Sequence, residues 1–153
     1  MNKFTKIWLG GKTKKSLFAL MAVLILSAIV LAACGGAAPT AAQRETPPPE
    51  YAGKTNPLAG NADAIAAGKT IFDSQCQSCH GATGAGDGPA ASALTPKPAN
   101  LDNTAKEASD AYMFWRISEG GGMAPFNSAM PSHKDTMSEE QIWQVISYIR
   151  TFK

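Results

Sequence analysis

The C-terminal end of the chain carries the clearest helical pattern. Apolar residues recur there at helical spacing, at Ile142, Val145, Ile146, Ile149 and Phe152. Ser138 is followed three residues later by Gln141, a capping-box pattern in which each side chain bonds to the other residue's backbone N–H. The sequence therefore predicts a last helix that begins after Ser138 and buries one apolar face.

Two further helices are predicted upstream. Asn61 can cap a helix that runs to about Ser74 and carries Ile65, Gly68 and Phe72 on one side. Ser109 precedes a second helix over residues 110–119, which three consecutive glycines end. Residues 81–100 are rich in Gly, Ala and Pro and predict a loop, and no segment has the pattern of a strand. We expect an all-α domain with three main helices.

The N-terminal 34 residues have the pattern of a targeting signal. Lys12, Lys14 and Lys15 precede an uncharged apolar stretch at residues 17–33, which ends in Leu-Ala-Ala before Cys34. This resembles a bacterial lipoprotein signal, which is cleaved before the cysteine, whose thiol and new amino terminus are then acylated. The alternative is an uncleaved signal anchor, because 17 apolar residues nearly span a bilayer. Both interpretations place the domain on the extracytoplasmic (periplasmic) side of the cell membrane.

Residues 35–60 have the composition of a linker. They contain five prolines, at Pro39, Pro47, Pro48, Pro49 and Pro57, and few residues that could be buried. Such a segment would span roughly 30 Å as a coil and up to about 80 Å as polyproline. The alternative for Pro57-Leu58 is packing against the domain or a partner. The predicted organisation is a removed signal peptide at 1–33, a lipidated cysteine and linker at 34–60, and a domain at 61–153.

The charge of the chain changes once the N-terminus is set aside. The formal net charge is +2, but five lysines precede the apolar stretch. From Cys34 onward nine Lys and Arg residues face twelve Asp and Glu residues, which leaves about −3. No basic patch remains, so nucleic acid is not an expected partner. A helical domain this small is marginal on its own apolar surface, and a large bound cofactor would supply part of its core.

The run Cys76-Gln77-Ser78-Cys79-His80 identifies that cofactor. A C-x-x-C-H sequence is typical of c-type haem attachment, with two thiols to bond the porphyrin and a histidine to bind the iron. A redox or zinc C-x-x-C pair is the alternative, but the sequence contains no second cysteine pair. The glycine-rich residues 81–89 lack the Lys-Ser/Thr ending of a phosphate-binding loop.

The chain resembles a class I c-type cytochrome in residues spread over the domain: Phe72, the Cys76–His80 run, Met130-Pro131, Trp143 and Tyr148. The resemblance implies the class I cytochrome c fold around one covalently attached haem c. It also implies that Met130, in a loop before the last helix, is the second iron ligand. Met123 is the alternative methionine. His133 lies in a polar turn, which predicts a solvated surface histidine, and Met113 and Met137 are predicted core side chains.

The resemblance also implies roles for residues around the haem. A proline carbonyl nine to twelve residues after the histidine would accept its second ring N–H, which favours Pro89, with Pro98 as the alternative. Gly68, Phe72 and Tyr148 would form the crossing of the first and last helices. The small size of the domain, rather than the resemblance, suggests that Met113, Phe114, Trp115 and Ile117 could form a haem-facing wall, although an ordinary core stripe is the default interpretation.

His80 and Met130 together would close both axial positions of the iron, which indicates electron transfer rather than catalysis. Residues 51, 56–58, 86–89 and 96–98 also resemble the mono-haem cytochrome c subunit of alternative complex III. We therefore expect a subunit of a quinol-oxidising respiratory or photosynthetic complex that passes electrons to a soluble carrier or terminal oxidase. The alternatives are a free lipid-tethered electron shuttle and the haem domain of a redox enzyme or sensor.

Overall fold

The computed structural model describes residues 46–152, and this part of the chain is helical without a strand. It contains α1 (Ala62–Gln75), α2 (Gln77–His80), α3 (Leu101–Glu107), α4 (Asp110–Glu119) and α5 (Glu139–Ile149), with a 3-10 turn at Ala91–Ala93. The all-α prediction is confirmed. The predicted signal peptide, Cys34 and the first part of the linker lie outside the described residues.

The three predicted helices begin at the expected caps. The side chains of Asn61 and Ser109 each accept a backbone N–H from the first turn, and Ser138 and Gln141 form the complete capping box. Helix α3 was not predicted. It has seven residues and is capped by Asn100, whose side chain accepts the N–H of Asn103. So short a helix carries too little apolar periodicity to be found in the sequence.

Helices α1 and α5 cross in close contact. A Cβ atom placed on Gly68 would lie 1.9 Å from the carbonyl oxygen of Gln144, so only glycine allows the two backbones to approach this closely. Beside it, the fully buried ring of Phe72 meets Tyr148 and Phe152 edge-on, with centroids 5.3 and 5.4 Å apart. The predicted helix crossing is confirmed, and it fixes the end of α1, where the cysteine motif starts.

Residues 48–60, which we call the N-terminal strap, pack onto the domain. The Asn56 amide donates to the carbonyl of Trp143 (3.2 Å) and to the hydroxyl of Ser147 (2.9 Å) on α5. Tyr51 donates to Glu119 at the end of α4 (2.6 Å). The strap therefore belongs to the packed domain rather than to the linker predicted over 34–60. The prolines that suggested a linker here form turns that bring polar side chains onto the helices.

Helices α4 and α5 present two different faces. Toward the strap, Phe114 packs on Trp143 with ring centroids 4.4 Å apart, and Tyr51 lies 6.2 Å from Phe114. Other side chains of the two helices, which include Ile117 and Val145, line a cleft. No helix between residues 46 and 152 combines the length and the apolar character needed to cross a bilayer.

Candidate cofactor site

A cavity of about 280 Å³ opens between the cysteine motif, the loop after it, α4 and the segment before α5. Three parts of the chain contribute most of its lining: residues 94–101, the α4 side chains Met113, Arg116 and Ile117, and residues 126–133. Cys76, Cys79, His80 and Met130 all line it. The structure therefore brings the predicted attachment residues and the predicted second ligand to one cavity.

Helix α2 arranges the motif. Cys76 ends α1, with its N–H bonded to the Phe72 carbonyl at 2.9 Å, and the single turn of α2 follows at once. The N–H groups of Cys79 and His80 donate to the Cys76 carbonyl at 3.2 and 2.9 Å. Residues three and four apart lie on one face of a helical turn. One turn therefore places both free thiols and the imidazole on the same side.

The Cys76 thiol is protected from ionisation. Burial raises its pKa to about 11, and the nearby Cys79 adds to the shift. At neutral pH the Cys76 sulfur is therefore a neutral thiol, which suits its place in a largely apolar cavity.

The His80 ring is oriented by a backbone carbonyl. Its Nδ1 lies 3.0 Å from the carbonyl oxygen of Ala99. Because a carbonyl can only accept, Nδ1 carries the proton and Nε2 keeps a free lone pair for a metal. Burial lowers the pKa of His80, and the bond to Ala99 partly offsets this, so the ring is neutral near pH 7. A neutral ring is the state that binds iron.

The prediction that the Pro89 carbonyl orients His80 is wrong, because the ring bonds to Ala99. The part of the loop next to Pro89 contacts the backbone of the motif instead of the ring. Gly86 and Gly88 donate their N–H groups to the carbonyls of His80 and Cys79, at 2.8 and 3.1 Å. The loop then folds back, so that Ala99 reaches the ring. The alternative residue, Pro98, is the neighbour of the true partner, and no sequence spacing identified a carbonyl 19 residues away.

Gly88 shows why the loop after the motif is rich in glycine. A Cβ atom at this position would lie 2.4 Å from the Ser78 carbonyl oxygen and 2.6 Å from that of Gln77. Backbone therefore packs directly on the backbone of the motif, which only a glycine permits. The loop supports α2 from behind, and the glycines serve this contact rather than a phosphate.

Three further candidate ligands differ in position. Met130 is half-buried, lines the cavity and is held by a bond from the Gly121 N–H to its carbonyl at 2.9 Å. Met123 is not among the residues that line the cavity. Met113 lines it from α4 but is 3% exposed and packed in the core, as predicted. Among the methionines, Met130 therefore has the position that suits a ligand best.

The prediction that His133 is solvated is wrong. It is 8% exposed and lines the same cavity, and burial lowers its pKa. The backbone N–H of His133 donates to the carbonyls of Ile117 and Ser118 at the end of α4, at 3.2 and 3.1 Å. The polar neighbours of His133 suggested an exposed turn, and only the folded chain shows that this turn docks on α4. His133 is therefore a second candidate for the face opposite His80.

The predicted haem-facing wall is only half present. Met113 and Ile117 line the cavity, whereas Phe114 and Trp115 do not. Phe114 faces the strap, and Trp115 contacts Tyr112 and Phe126 with centroids 5.9 and 5.6 Å away. Consecutive helical residues point in different directions, so Met113, Phe114 and Trp115 could not all face one group.

Comparison with known proteins gives consistent results. Residues 65–153 match the protein family described as cytochrome c. The chain is 32% identical over 90 residues to cytochrome c-554(547) of Halothiobacillus neapolitanus, which covers 58% of this chain and 96% of that protein.

Two solved structures are similar. A chain of the Kuenenia stuttgartiensis reducing HAO-like protein complex is 28% identical with a TM-score of 0.53, covering 63% of this chain and 46% of that one. Cytochrome CL of Methylophaga aminisulfidivorans is 24% identical with a TM-score of 0.48, covering 63% of this chain and 60% of that one. The chain thus spans less than two thirds of both these structures' chains.

The cavity fits haem c by its donor set. It offers two thiols, an imidazole with a free Nε2, a thioether and apolar walls from α4 and α5. No group of three or more His, Cys, Asp or Glu side chains that could hold a bare metal ion occurs within residues 46–152. Haem iron would be bound by side chains of this cavity, through the imidazole of His80 and the thioether of Met130. Lys97 and Arg116 line the cavity with positively charged side chains, and no Asp or Glu is among the lining residues.

Proposed function

The chain belongs to the cytochrome c family, and on this premise we propose that it is a membrane-tethered electron carrier of a respiratory or photosynthetic chain. Membership of the family means a covalently bound haem c, which supplies one-electron chemistry. The chain contains one C-x-x-C-H run, so it carries one haem. The protein is thus a mono-haem electron-transfer protein that exchanges electrons with other redox proteins, and not an enzyme in itself.

We propose that Cys76 and Cys79 form the two thioether bonds and that Nε2 of His80 binds the iron. The observation that carries this assignment is the shared cavity, where one helical turn presents all three side chains and Ala99 holds the imidazole in the required tautomer. Met130 is proposed as the second ligand, because it faces the same cavity from the segment before α5. Two protein ligands leave no open position for a substrate, and a thioether ligand favours ferrous iron.

A set of ligand variants tests this assignment. Oxidised protein should lose the long-wavelength absorption band that reports a Met–Fe(III) bond in Met130→Ala, and should keep it in the control Met123→Ala. His133→Ala should also keep the band. Loss of the band in Met123→Ala with retention in Met130→Ala, or rapid carbon monoxide binding by the reduced wild-type protein, would contradict the assignment.

The lipid tether is proposed at Cys34, on the extracytoplasmic side of the membrane. The support is the lipobox-like pattern before Cys34. Because Pro48 already belongs to the packed strap, only the 13 residues 35–47 separate it from the cysteine, and these reach about 40 Å as polyproline. Cys34→Ser should move the haem protein from the membrane fraction to the soluble fraction. A variant that stays in the membrane would indicate another anchor.

Membership of a quinol-oxidising complex like alternative complex III is the proposed setting, with a periplasmic carrier or terminal oxidase as electron acceptor. The resemblance of residues 51, 56–58, 86–89 and 96–98 to the mono-haem subunit supports it. So does the similarity to part of a chain that was solved within a protein complex, the Kuenenia stuttgartiensis reducing HAO-like protein complex. After mild detergent extraction the haem protein should comigrate with a large complex. Release as a small species would favour the free lipid-tethered shuttle.

A further inference from the structure

His133 is a buried imidazole at the cofactor cavity that the proposed electron-transfer site does not use. It is 8% exposed and lines the cavity together with His80 and Met130. Burial lowers its pKa, so the ring is neutral near pH 7. The Nδ1 of His80 is engaged by the Ala99 carbonyl, whereas no hydrogen bond or charge from residues 46–152 acts on the His133 ring. A neutral imidazole whose nitrogens are not engaged is able to bind a metal.

The backbone around His133 is held in place independently of Met130. The N–H groups of His133 and Lys134 each donate to the Ser118 carbonyl at the end of α4, at 3.1 Å. The hydroxyl of Ser132 donates to the same carbonyl at 2.7 Å. These bonds dock residues 132–134 on α4. Departure of the Met130 side chain would therefore leave His133 beside the cavity.

The part of the segment that carries Met130 is less protected. Met130 is half-buried, and its neighbours Ala129 and Pro131 are exposed. Its carbonyl accepts the N–H of Gly121, at 2.9 Å. Segments that border solvent open locally at a lower free energy than the whole fold. Of the two side chains, Met130 is therefore the one expected to leave its place first.

Met130 and His133 reach the cavity from the same segment, which precedes α5, whereas His80 reaches it from α2. We propose that His133 is a reserve ligand, whose imidazole binds the haem iron in place of Met130 when Met130 leaves. The iron then has two histidine ligands and stays closed to small molecules such as oxygen. The exchange also removes the thioether, which favours ferrous iron. The proposal rests on the proposed binding of the haem iron by His80 and Met130.

Other potential donors are less suited to this role. Met113 lines the cavity but is 3% exposed and packed in the core. Lys97 lines it too, but its side chain is exposed, and an ammonium group has no lone pair for a metal. Met123 is not among the lining residues. His133 combines a neutral donor, a place in the lining and a docked backbone.

The test uses the full-length, haem-loaded protein without a histidine tag, as Met130→Ala and as Met130→Ala combined with His133→Phe. The chain contains two histidines, so a low-spin electron paramagnetic resonance signal of two imidazole ligands in oxidised Met130→Ala assigns His133 directly. The double variant should lose this signal and become high-spin, and added free imidazole should restore it. Reduced Met130→Ala should bind carbon monoxide at least about tenfold more slowly than the double variant, because it binds only while the imidazole is off the iron.

Two controls accompany these variants. His133→Phe alone should keep the Met–Fe(III) absorption band, which shows that the substitution leaves the site folded. Met130→Ala combined with Lys97→Gln should keep the two-imidazole signal. A high-spin Met130→Ala, or a low-spin signal that survives in the double variant, would overturn the proposal. The signal in Met130→Ala decides the proposal even if His133→Phe fails to fold. Failure of the Met130 ligation itself is seen separately, as an absorption band that survives Met130→Ala.

Discussion

The crossing of α1 and α5 and the cofactor cavity are built in opposite ways. At the crossing, Phe72 and Ile146 are fully buried, and the backbones of Gly68 and Gln144 are in contact. At the cavity, Met130 is half-buried and a guanidinium N–H of Arg116 has no partner. The crossing is complete in the polypeptide, whereas the cavity is the proposed place of the haem. Substitutions at the crossing should therefore change stability, and those at the cavity should change spectra and potential.

The largest expected effect is at the crossing. Gly68→Ala places a Cβ atom 1.9 Å from a backbone oxygen of α5, so the two helices must move apart. Overpacking of this kind should lower the free energy of unfolding by about 3 kcal/mol. Denaturant unfolding of the haem-loaded protein, followed by circular dichroism, measures the change.

Gly122→Ala is the matched control, because a Cβ atom there meets nothing within 4 Å and the residue is exposed. Its free energy of unfolding should stay within about 0.5 kcal/mol of wild type. Equal losses in the two variants would show that the crossing is not the rigid part of the molecule.

A smaller effect on stability is expected where the strap packs on α5. Asn56→Ala removes two bonds to α5, to the Trp143 carbonyl and the Ser147 hydroxyl. The free energy of unfolding should fall by about 1–2 kcal/mol, because these contacts are partly buried and close a long loop. The same denaturant experiment measures it.

Asn103→Ala provides the control, since Asn103 is exposed on α3. It should leave the free energy of unfolding within about 0.5 kcal/mol of wild type. If Asn56→Ala were equally neutral, these two bonds would contribute nothing measurable to stability, and the strap would be held by its other contacts, such as that of Tyr51 with Glu119.

The same contrast explains which features the sequence predicts. The helix starts at Asn61, Ser109 and Ser138 depend on bonds three residues long, so the local pattern is sufficient. The Cys76–His80 run is equally local, because one helical turn brings its side chains together. Even the crossing of α1 and α5 at Gly68 could be predicted, because the sequence resembles a known fold.

The features that were missed depend on contacts between distant residues. His80 bonds to a carbonyl 19 residues away, and Asn56 bonds to α5 across about ninety positions. His133 is buried because its turn docks on the end of α4, although its neighbours in sequence are polar. Neither the periodicity of apolar residues nor the spacing within a motif contains information on such pairs of distant residues. The unpaired Nη1 of Arg116 is also visible only in the folded chain.

The smallest expected effect concerns the contact between Tyr51 of the strap and Glu119 at the end of α4, and it depends on pH. Tyr51 donates to Glu119 (2.6 Å), which also accepts from Lys134 (2.8 Å); burial, and then the bond to Glu119, raise the pKa of Tyr51 to about 12. The neutral phenol is favoured in the folded state. The contact of Tyr51 with Glu119 therefore contributes fully to the free energy of unfolding below the unfolded pKa of about 10, and this contribution is lost as the pH rises through about 12.

Tyr51→Phe should lower the free energy of unfolding by less than about 1 kcal/mol at neutral pH, because the contact borders solvent. The difference from wild type should shrink as the pH rises from about 10 to 12. A difference that stays constant over that range would mean that the phenol proton is not held by Glu119, and that the strap is fixed by Asn56 and its apolar contacts alone.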